Sequence, residues 1–424
     1  MEYIARIADE QISRYLTIFG AVLIEGPKWC GKTWAARRIS NSEFGVADPA
    51  ENFRNREIAR LNLGAVLEGE RPRLIDEWQE VPEIWDAVRH EIDRAGGKGQ
   101  FILTGSSTPD DKRMIHSGAG RIGRIRLGTM SMNELGISKP NISLRKLFDG
   151  EPGFCDGEFI GSLSLPDLIG TICKGGWPGL IGTPLEDAQV VIDSYIDDMT
   201  EVDVSRIDGV RRDPAKMRAL LRSLARNAAT TVKYETISKD ISEFSNAQVS
   251  GKTVGEYIGL LRRLHIVYDV PAWDPALKST VRLRTTPKRI LTDASLTASA
   301  LGANVAALEK DPKLFGSLFE NQALHDLIIY AGANEAEVRH YHDNSGIEVN
   351  AILEKRDGTW GGVEIKLGYH QEDEAAASLI RLKQKLAASG QKPPAFLVVL
   401  IGVGALAKIR KDGVYVIPID HLYP

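Results

Sequence analysis

Residues 26–33 place glycines, a lysine and a threonine at the spacing that binds a nucleotide phosphate. The segment is GPKWCGKT, in which four residues separate Gly26 from Gly31, Lys32 and Thr33. Glycines let backbone amides wrap a phosphate at a helix N-terminus, where the helix dipole favours an anion. Lys32 would contact the β- and γ-phosphates, and Thr33 would ligate Mg²⁺. The spacing therefore predicts a loop that binds ATP and Mg²⁺.

Two elements are predicted to hold this loop. Residues 22–24 are an apolar run typical of a buried strand, and residues 35–39 favour a helix. A chance glycine turn is the alternative, but it does not explain the strand, the helix and every fixed position together. The predicted nucleotide-binding residues are those between the strand and the helix: Gly26, Pro27, Lys28, Trp29, Cys30, Gly31, Lys32, Thr33 and Trp34.

Two adjacent acidic residues, Asp76 and Glu77, follow a second apolar segment. Mg²⁺ prefers carboxylate oxygens and water, so Asp76 suits a position beside the metal and its water ligands. Glu77 is then placed to polarise the water that attacks the γ-phosphate. An exposed acidic turn is the alternative interpretation. The phosphate loop earlier in the chain favours ATP hydrolysis with Glu77 as general base.

Composition limits the class of protein. The 424 residues are 43% hydrophobic and 26% charged, which is ordinary for a soluble globular protein of two or three domains. The formal net charge of −4 means that any DNA-binding surface must be a local patch. Three isolated cysteines, Cys30, Cys155 and Cys173, indicate a reducing compartment. No apolar run approaches the ~18 residues of a membrane span, and no signal peptide is evident, so we expect a cytoplasmic protein.

Strands and helices alternate over residues 1–140. A helix is expected at 84–96 and an apolar strand at 100–108, after the strand that ends at Asp76. Such alternation predicts a parallel sheet with helices on both faces.

Four segments in this region resemble the ordered blocks of a prokaryotic AAA-type P-loop ATPase family, related to archaeal and STAND-like ATPases. They are GPKWCGKT, LIDEWQ, FILTGSS and GRIGRIRLGTMSMNEL. The resemblance extends over essentially the whole chain, and it implies a three-layer αβα domain at 1–140. It also implies a C-terminal domain of unknown function.

Polar residues at the end of the third apolar strand could hold the water near the γ-phosphate. In the resembled ATPases a polar residue beside the acidic strand holds the water, which points to at least one of Thr104, Ser106 and Ser107; a turn cap is the alternative. Arg121 and Arg124 are candidates for a finger that stabilises the transition state on a neighbouring subunit, which would imply an oligomer. Solvated arginines are the alternative, and Arg126 is expected on the strand itself.

Residues 211–290 suggest a winged helix-turn-helix, after a helical linker at 141–210. Three helical segments precede strand material, and Ser250–Tyr257 would begin the helix that enters a DNA major groove. Residues 277–289 have five basic residues and no acidic one, so they could form a wing that contacts phosphates. A winged helix used for protein contact is the alternative.

Residues 291–424 resemble a small restriction-endonuclease-like α/β domain. The pattern predicts a helix, three strands, a helix and a further strand. Nuclease chemistry on this core needs two carboxylates on Mg²⁺ and a nearby lysine. Glu320, Glu364 and Lys366 supply three of these groups, but Asn350 stands where an aspartate is expected. An amide removes one negative charge, and Glu348 lies ~7 Å along the strand, so a degenerate site without cleavage is expected.

Three functions remain open at this point. The first is an ATPase that couples hydrolysis to a conformational change of C-terminal modules that bind duplex DNA or protein. The second is a nucleotide-dependent signalling or scaffold protein with a protein partner. The third is an ATP-gated, metal-dependent DNA nuclease, against which Asn350 argues.

Overall fold

Two large β-sheets, each with its own helices, and a mainly helical region between them in sequence make up the architecture. The structure is a computed structural model, and it describes most of the chain. The described residues are 3–108, 116–139, 141–151, 153–154, 156–157, 163–245, 248–276, 279, 282, 285–404 and 406–424.

The first sheet has five parallel strands in the order β2-β3-β4-β1-β5. Its strands are β1 (Ala21–Glu25), β2 (Ser42–Gly45), β3 (Arg73–Asp76), β4 (Phe101–Gly105) and β5 (Ile122–Arg126). The helices that accompany them are α1 (Ala8–Ile18), α2 (Lys32–Ile39), α3 (Ala50–Leu61), α4 (Leu63–Leu67) and α5 (Glu83–Ala95). Because every strand is parallel, all five carboxyl ends lie at one edge.

Successive residues of the central strands pack on opposite faces of this sheet. Leu23 and Leu103 belong to one apolar cluster, whereas Val22 and Ile102 belong to the other. Strand side chains alternate between faces, so a strand buried on both faces is apolar throughout. The parallel sheet predicted from the sequence is confirmed. Helices α3 and α4 were not predicted, and α3 begins with three residues, Glu51–Phe53, at positive φ.

The middle of the chain is mainly helical. Its elements are β6 (Ile142–Ser143), α6 (Leu144–Phe148), α7 (Leu165–Lys174), α8 (Leu185–Asp198), α9 (Val204–Arg206), α10 (Pro214–Arg226), α11 (Tyr234–Ser245), α12 (Gly251–Arg263), β7 (Val267–Val270) and β8 (Lys288–Leu291). Helices α10, α11 and α12 share one apolar core with α8, and β7 pairs with β8 in an antiparallel ladder.

The second sheet has six strands in the order β13-β14-β12-β11-β10-β9. Its region comprises α13 (Ala294–Leu301), α14 (Val305–Lys310), α15 (Pro312–Ala333), β9 (Ala336–His342), β10 (Glu348–Lys355), β11 (Trp360–Gly368), α16 (Glu372–Ala388), β12 (Phe396–Val403), β13 (Lys408–Ile409), β14 (Tyr415–Pro418) and β15 (Leu422–Tyr423). Strands β9, β10 and β11 are antiparallel, and β12 joins β11 in parallel after α16. Helix, three strands, helix and strand follow in the predicted order.

Part of the predicted linker packs on this second sheet. Strand β6 pairs with β15 at the end of the chain, and apolar residues of α6 and α7 share a core with α15 and β12. The segment from β6 to α7 therefore contributes to the C-terminal core, although it precedes the middle helices in sequence. Over the part of the chain that the structure describes, no helix has the length and apolarity needed to cross a membrane.

Candidate active site

The phosphate loop lies at the carboxyl edge of the first sheet, between β1 and α2. Gly31 adopts a φ of 98°, which is accessible mainly to glycine. At Gly26 the backbone passes so close to β5 that a Cβ atom would lie 2.0 Å from the Leu127 carbonyl oxygen. Lys32 is 4% exposed, and its Nζ donates to the Pro27 carbonyl within the loop at 2.8 Å. Both glycines are thus required for the shape of the loop.

Asp76 stands at the tip of β3, directly beside this loop. The Thr33 hydroxyl donates to Asp76 Oδ1 at 2.8 Å, and the Thr104 hydroxyl donates to the same oxygen at 2.5 Å. Burial raises the pKa of Asp76, and the two hydroxyl hydrogen bonds oppose that rise. The start of α2, the end of β3 and the end of β4, which are distant in sequence, therefore meet at one oxygen of Asp76.

A hydroxyl and a carboxylate at this position fit a magnesium ion. Mg²⁺ prefers oxygen ligands, and it is commonly held by one or two protein oxygens together with substrate phosphates and water. Thr33 and Asp76 supply such oxygens, and Asp76 makes no ion pair among the described residues that would occupy its charge. These two residues would hold the metal.

Glu77 is fixed next to Asp76 by polar neighbours. Its backbone amide donates to the Thr104 hydroxyl at 3.2 Å, and its φ is 55°. Its carboxylate accepts from the Ser106 hydroxyl at 2.8 Å and from the Gln79 side-chain amide. Gln79 also donates to Ser106 at 3.3 Å. The Glu77 carboxylate is therefore oriented at the edge of the site by Ser106 and Gln79.

The three arginines of the β5 segment occupy different positions. Arg121 precedes the strand, at the sheet edge opposite the phosphate loop, and it pairs with Asp93 at 2.6 Å. Arg124 lies mid-strand, 3.6 Å from Glu25. Arg126 lies at the carboxyl end, where its guanidinium is 4.5 Å from the Tyr268 ring centroid. Arg126 is thus the arginine of this group at the same edge as the phosphate loop.

The carboxylates of the C-terminal domain also converge, but a lysine accompanies them. Lys288 Nζ lies 3.1 Å from Glu320 Oε1 and 3.1 Å from Glu348 Oε1. The Asn350 amide donates to the same Glu320 oxygen at 2.6 Å. Glu364 lies nearby on β11, and burial raises its pKa to about 8. Lys366 is 3.7 Å from Glu364.

This cluster does not fit a divalent metal ion. A metal needs free carboxylate oxygens, and Glu320 Oε1 already accepts from Lys288 and Asn350. Among the described residues, no group of three or more histidine, cysteine, aspartate or glutamate side chains is arranged to hold a metal. Glu320, Asn350, Glu364 and Lys366 lie close together in the structure, and Lys288 lies among them.

Comparison with known proteins finds a domain match over the first sheet. Residues 19–136 match an AAA domain. Residues 165–307 match a domain of unknown function (DUF8612), and residues 315–422 match another (DUF4143). The chain is also similar to uncharacterized proteins of Mycobacterium bovis and Mycobacterium tuberculosis. Each is 24% identical over 338 residues, which are 78% of this chain and 67% of the relative. The AAA match supports an AAA-type ATPase domain at this position.

The middle region contacts the phosphate loop of the AAA domain directly. The Trp29 ring stacks on Trp177, with centroids 5.9 Å apart and planes inclined by 25°. Trp177 in turn contacts Tyr195 at 4.8 Å. Lys28 pairs with Asp203 at 2.5 Å. Two neighbouring residues of the loop therefore contact the middle region, at segments that precede and follow α8.

His265 approaches the AAA domain from the turn after α12. It is 5% exposed with a φ of 59°, and its Nε2 has no hydrogen-bond partner among the described residues. Burial and, to a smaller extent, the nearby charges of Arg126 and Lys32 lower the pKa of His265 to about 3. This low pKa favours a neutral imidazole near the lysine of the phosphate loop.

Gln79, His265 and Lys288 were all missed by the sequence analysis. Gln79 lies two residues after Glu77, so its spacing was a usable signal. His265 and Lys288 lie in segments that pack against other domains, and no local pattern indicates such contacts.

Several side chains predicted to contact DNA are instead buried or form ion pairs within the protein. Of the five basic residues in 277–289, the described ones are Arg282, Lys288 and Arg289. Arg282 pairs with Glu354 at 2.9 Å, and Arg289 is 4% exposed. The remaining two basic residues, and Cys155, lie outside the described residues. Cys30 and Cys173 are buried free thiols.

Proposed function

We propose that this protein binds ATP with Mg²⁺ in its AAA domain, hydrolyses it, and transmits the nucleotide state to the middle and C-terminal regions. One observation carries the proposal. Thr33 and Thr104 donate to the same oxygen of Asp76, while Thr104 accepts the amide of Glu77. The phosphate loop, the acidic strand and the neighbouring strand are thereby fixed relative to one another.

Each residue then has a defined role in binding. The loop amides and Lys32 would bind the phosphates, since Lys32 is buried without a carboxylate partner among the described residues. Thr33 and Asp76 would hold Mg²⁺, which neutralises charge on the phosphate oxygens when it is bound. These contacts would account for the affinity for ATP and for the orientation of its phosphates.

Glu77 would act as the general base for hydrolysis. Its carboxylate accepts two hydrogen bonds on one oxygen, Oε2, from Ser106 and Gln79. The other oxygen has no hydrogen-bond partner among the described residues, so it could accept a proton from water that attacks the γ-phosphate. Thr104 and Ser106 would maintain the spacing between this base and the metal-binding carboxylate.

An arginine from a neighbouring subunit would complete the site if the protein forms an oligomer. Arg121 and Arg124 remain the candidates, because both lie on the edge strand of the AAA sheet or just before it. Their partners Asp93 and Glu25 would have to release them for contact with a γ-phosphate. The charge would then stabilise the transition state.

Coupling would pass through the contacts of the phosphate loop with the middle region. Trp29 and Lys28 belong to the loop, whereas Trp177 and Asp203 belong to the middle region. A shift of the loop when phosphate binds would change these contacts. The middle region would therefore respond to the nucleotide without a separate linker.

The charge distribution favours a protein partner over duplex DNA as the recipient of this signal. On α10, Arg218 pairs with Asp197 and Glu201, and Arg226 pairs with Asp240. Non-specific DNA affinity comes from basic groups that neutralise phosphates, and paired arginines contribute less. The strand and helix order of the C-terminal domain supports a restriction-endonuclease-like fold that has lost cleavage.

ATP hydrolysis with and without duplex DNA is the decisive measurement. The native chain should hydrolyse ATP, and Glu77→Gln should lower kcat by roughly 1000-fold while ATP binding is retained. Glu80→Gln is the matched control, since Glu80 lies three residues away and pairs with Arg56.

The three outcomes have different consequences. Turnover that depends on Glu77 and ignores DNA supports the protein-partner form of the proposal. Turnover that DNA stimulates would move the assignment to a DNA-coupled ATPase. Full activity of Glu77→Gln would refute Glu77 as the base.

A further inference from the structure

Lys288 is an unusual lysine because it is almost completely buried between two domains. It is 2% exposed and lies on β8, a strand that pairs with β7 and lies outside the six-stranded sheet. Its ammonium nevertheless contacts Glu320 of α15 and Glu348 of β10, each at 3.1 Å. A charge from the middle region thus lies among carboxylates of the C-terminal domain.

The two neighbouring carboxylates favour the charged form of this ammonium. Burial lowers the pKa of Lys288, but Glu320 and Glu348 outweigh burial, and the net pKa is raised. Burial raises the pKa of Glu348, but Lys288, together with His342 and His340, lowers it, and the net pKa falls. Lys288 and Glu348 therefore stabilise each other in their ionised forms.

Asn350 is a second partner of the Glu320 oxygen that Lys288 contacts. Its amide nitrogen donates to Glu320 Oε1 at 2.6 Å, and its carbonyl oxygen accepts from the Ile365 amide at 2.9 Å. Both polar ends of Asn350 are thus used within the protein. A metal at this position would have to displace Lys288 and would find the Asn350 oxygen already bound.

The adjacent residue on β8 faces the opposite way. Arg289 donates to the Val232 carbonyl at 2.8 Å and lies 3.4 Å from Asp269, both in the middle region. Successive side chains of a strand point to opposite faces, so Lys288 and Arg289 contact different domains. Strand β8 therefore fastens the middle region to the C-terminal sheet by two neighbouring cations.

We infer that Lys288 is the resident cation of the Glu320–Glu348 carboxylate cluster, where it joins the two domains and excludes a divalent metal ion. This inference does not depend on ATP hydrolysis. It gives the cluster a role as an internal ion-pair site between domains. It also explains how an acidic cluster in this fold is retained without metal-dependent cleavage.

Removal of the lysine should create a metal site. We would measure Mn²⁺ binding to the full chain without nucleotide, by electron paramagnetic resonance. In the native protein, Glu320→Gln should leave Mn²⁺ binding unchanged. The double variant Lys288→Met/Asn350→Asp should bind Mn²⁺ at least 10-fold more tightly than the native protein, and adding Glu320→Gln should abolish the gain.

Two controls keep the test specific. Lys366 belongs to the same cluster and lies 3.7 Å from Glu364. Lys366→Met removes this lysine, and it should produce no new metal site. Asn350→Asp alone should also produce none, because Lys288 still contacts Glu320. Native protein whose Mn²⁺ affinity falls with Glu320→Gln would overturn the inference, as would a folded double variant that gains no Mn²⁺ site.

A second measurement remains decisive if the double variant does not fold. Thermal unfolding of Lys288→Met, Glu320→Gln and their combination forms a mutant cycle. The combined loss in midpoint should be smaller than the sum of the single losses, because each variant breaks the same ion pair. Additive losses would show that the two residues do not act together.

Discussion

Two lysines of this protein are buried, and they differ in what surrounds their charge. Lys32 in the phosphate loop is 4% exposed and donates to a backbone carbonyl. Lys288 is 2% exposed and contacts two carboxylates. A buried charge without an ionic partner is costly, whereas a paired one is compensated. The first site is therefore built for an anionic ligand, and the second is complete without one.

The carboxylates of the two sites follow the same logic. In the part of the chain that the structure describes, the Asp76 carboxylate accepts hydrogen bonds from hydroxyls alone, which leave its negative charge available to a metal ion. Glu320 contacts an ammonium and an amide, so its charge already has a cationic partner within the protein. Both clusters contain acidic and basic residues of the types that catalysis requires. The pairing of charges within each cluster, and not its composition, separates a ligand site from a structural one.

The largest expected effect concerns Glu364, in the carboxylate cluster of the C-terminal domain. Burial raises the pKa of Glu364 from 4.5 to about 8, so this carboxyl takes up a proton on folding. Stability should then fall as the pH rises from 4.5 towards 8, by roughly 3 kcal/mol between pH 4.5 and 7. Urea unfolding of Glu364→Gln across this range should lack that decline. Glu374→Gln, on the exposed start of α16, should keep it; equal slopes in both variants would contradict a buried neutral Glu364.

Exchange of the two lysines by shorter side chains should separate their roles. Lys32→Ala should weaken ATP binding roughly 100-fold, since a charged hydrogen bond to phosphate is lost. Lys288→Ala should lower thermal stability and leave the ATP affinity of the folded protein unchanged. Titration with a fluorescent ATP analogue, below the unfolding temperature of both variants, measures this. Similar losses of affinity in the two variants would break the comparison.

A smaller effect is expected from the hydroxyl that orients Glu77. Ser106→Ala removes the 2.8 Å hydrogen bond to the Glu77 carboxylate while Gln79 remains. We expect kcat for ATP to fall roughly 10-fold, the cost of about one hydrogen bond, with little change in KM. Ser107→Ala is the control in the adjacent position. A change confined to KM would show that Ser106 contributes to binding instead of orientation.

Local patterns predicted some elements of this fold and missed others for a physical reason. The strands that end at Glu25, Asp76 and Gly105 were predicted because runs buried on both faces are apolar throughout. Helix α3 was missed because its first turn departs from helical φ and ψ and its apolar face is short. The three helices at 214–263 were predicted from their 3.6-residue periodicity.

The basic segment at 277–289 shows that local composition does not predict whether charged side chains are exposed. Five positive charges without an acidic residue suggested a surface that contacts phosphates. In the structure Lys288 and Arg289 are buried, because acidic residues from α15, β10 and β7 meet them. Those partners are distant in sequence, so no window along the chain contains both charges of a pair.

The sequence by itself determined the phosphate loop, the acidic pair Asp76-Glu77 and the order of the C-terminal elements. Each depends on residues that are close along the chain, where spacing fixes geometry. Tertiary structure alone decided which charges remain free, because pairing depends on contacts between distant segments. It placed His265 beside Lys32 and Lys288 between two glutamates. Residue types thus determined the chemistry available to each site, and the packing of domains determined which site has a charge left for a ligand.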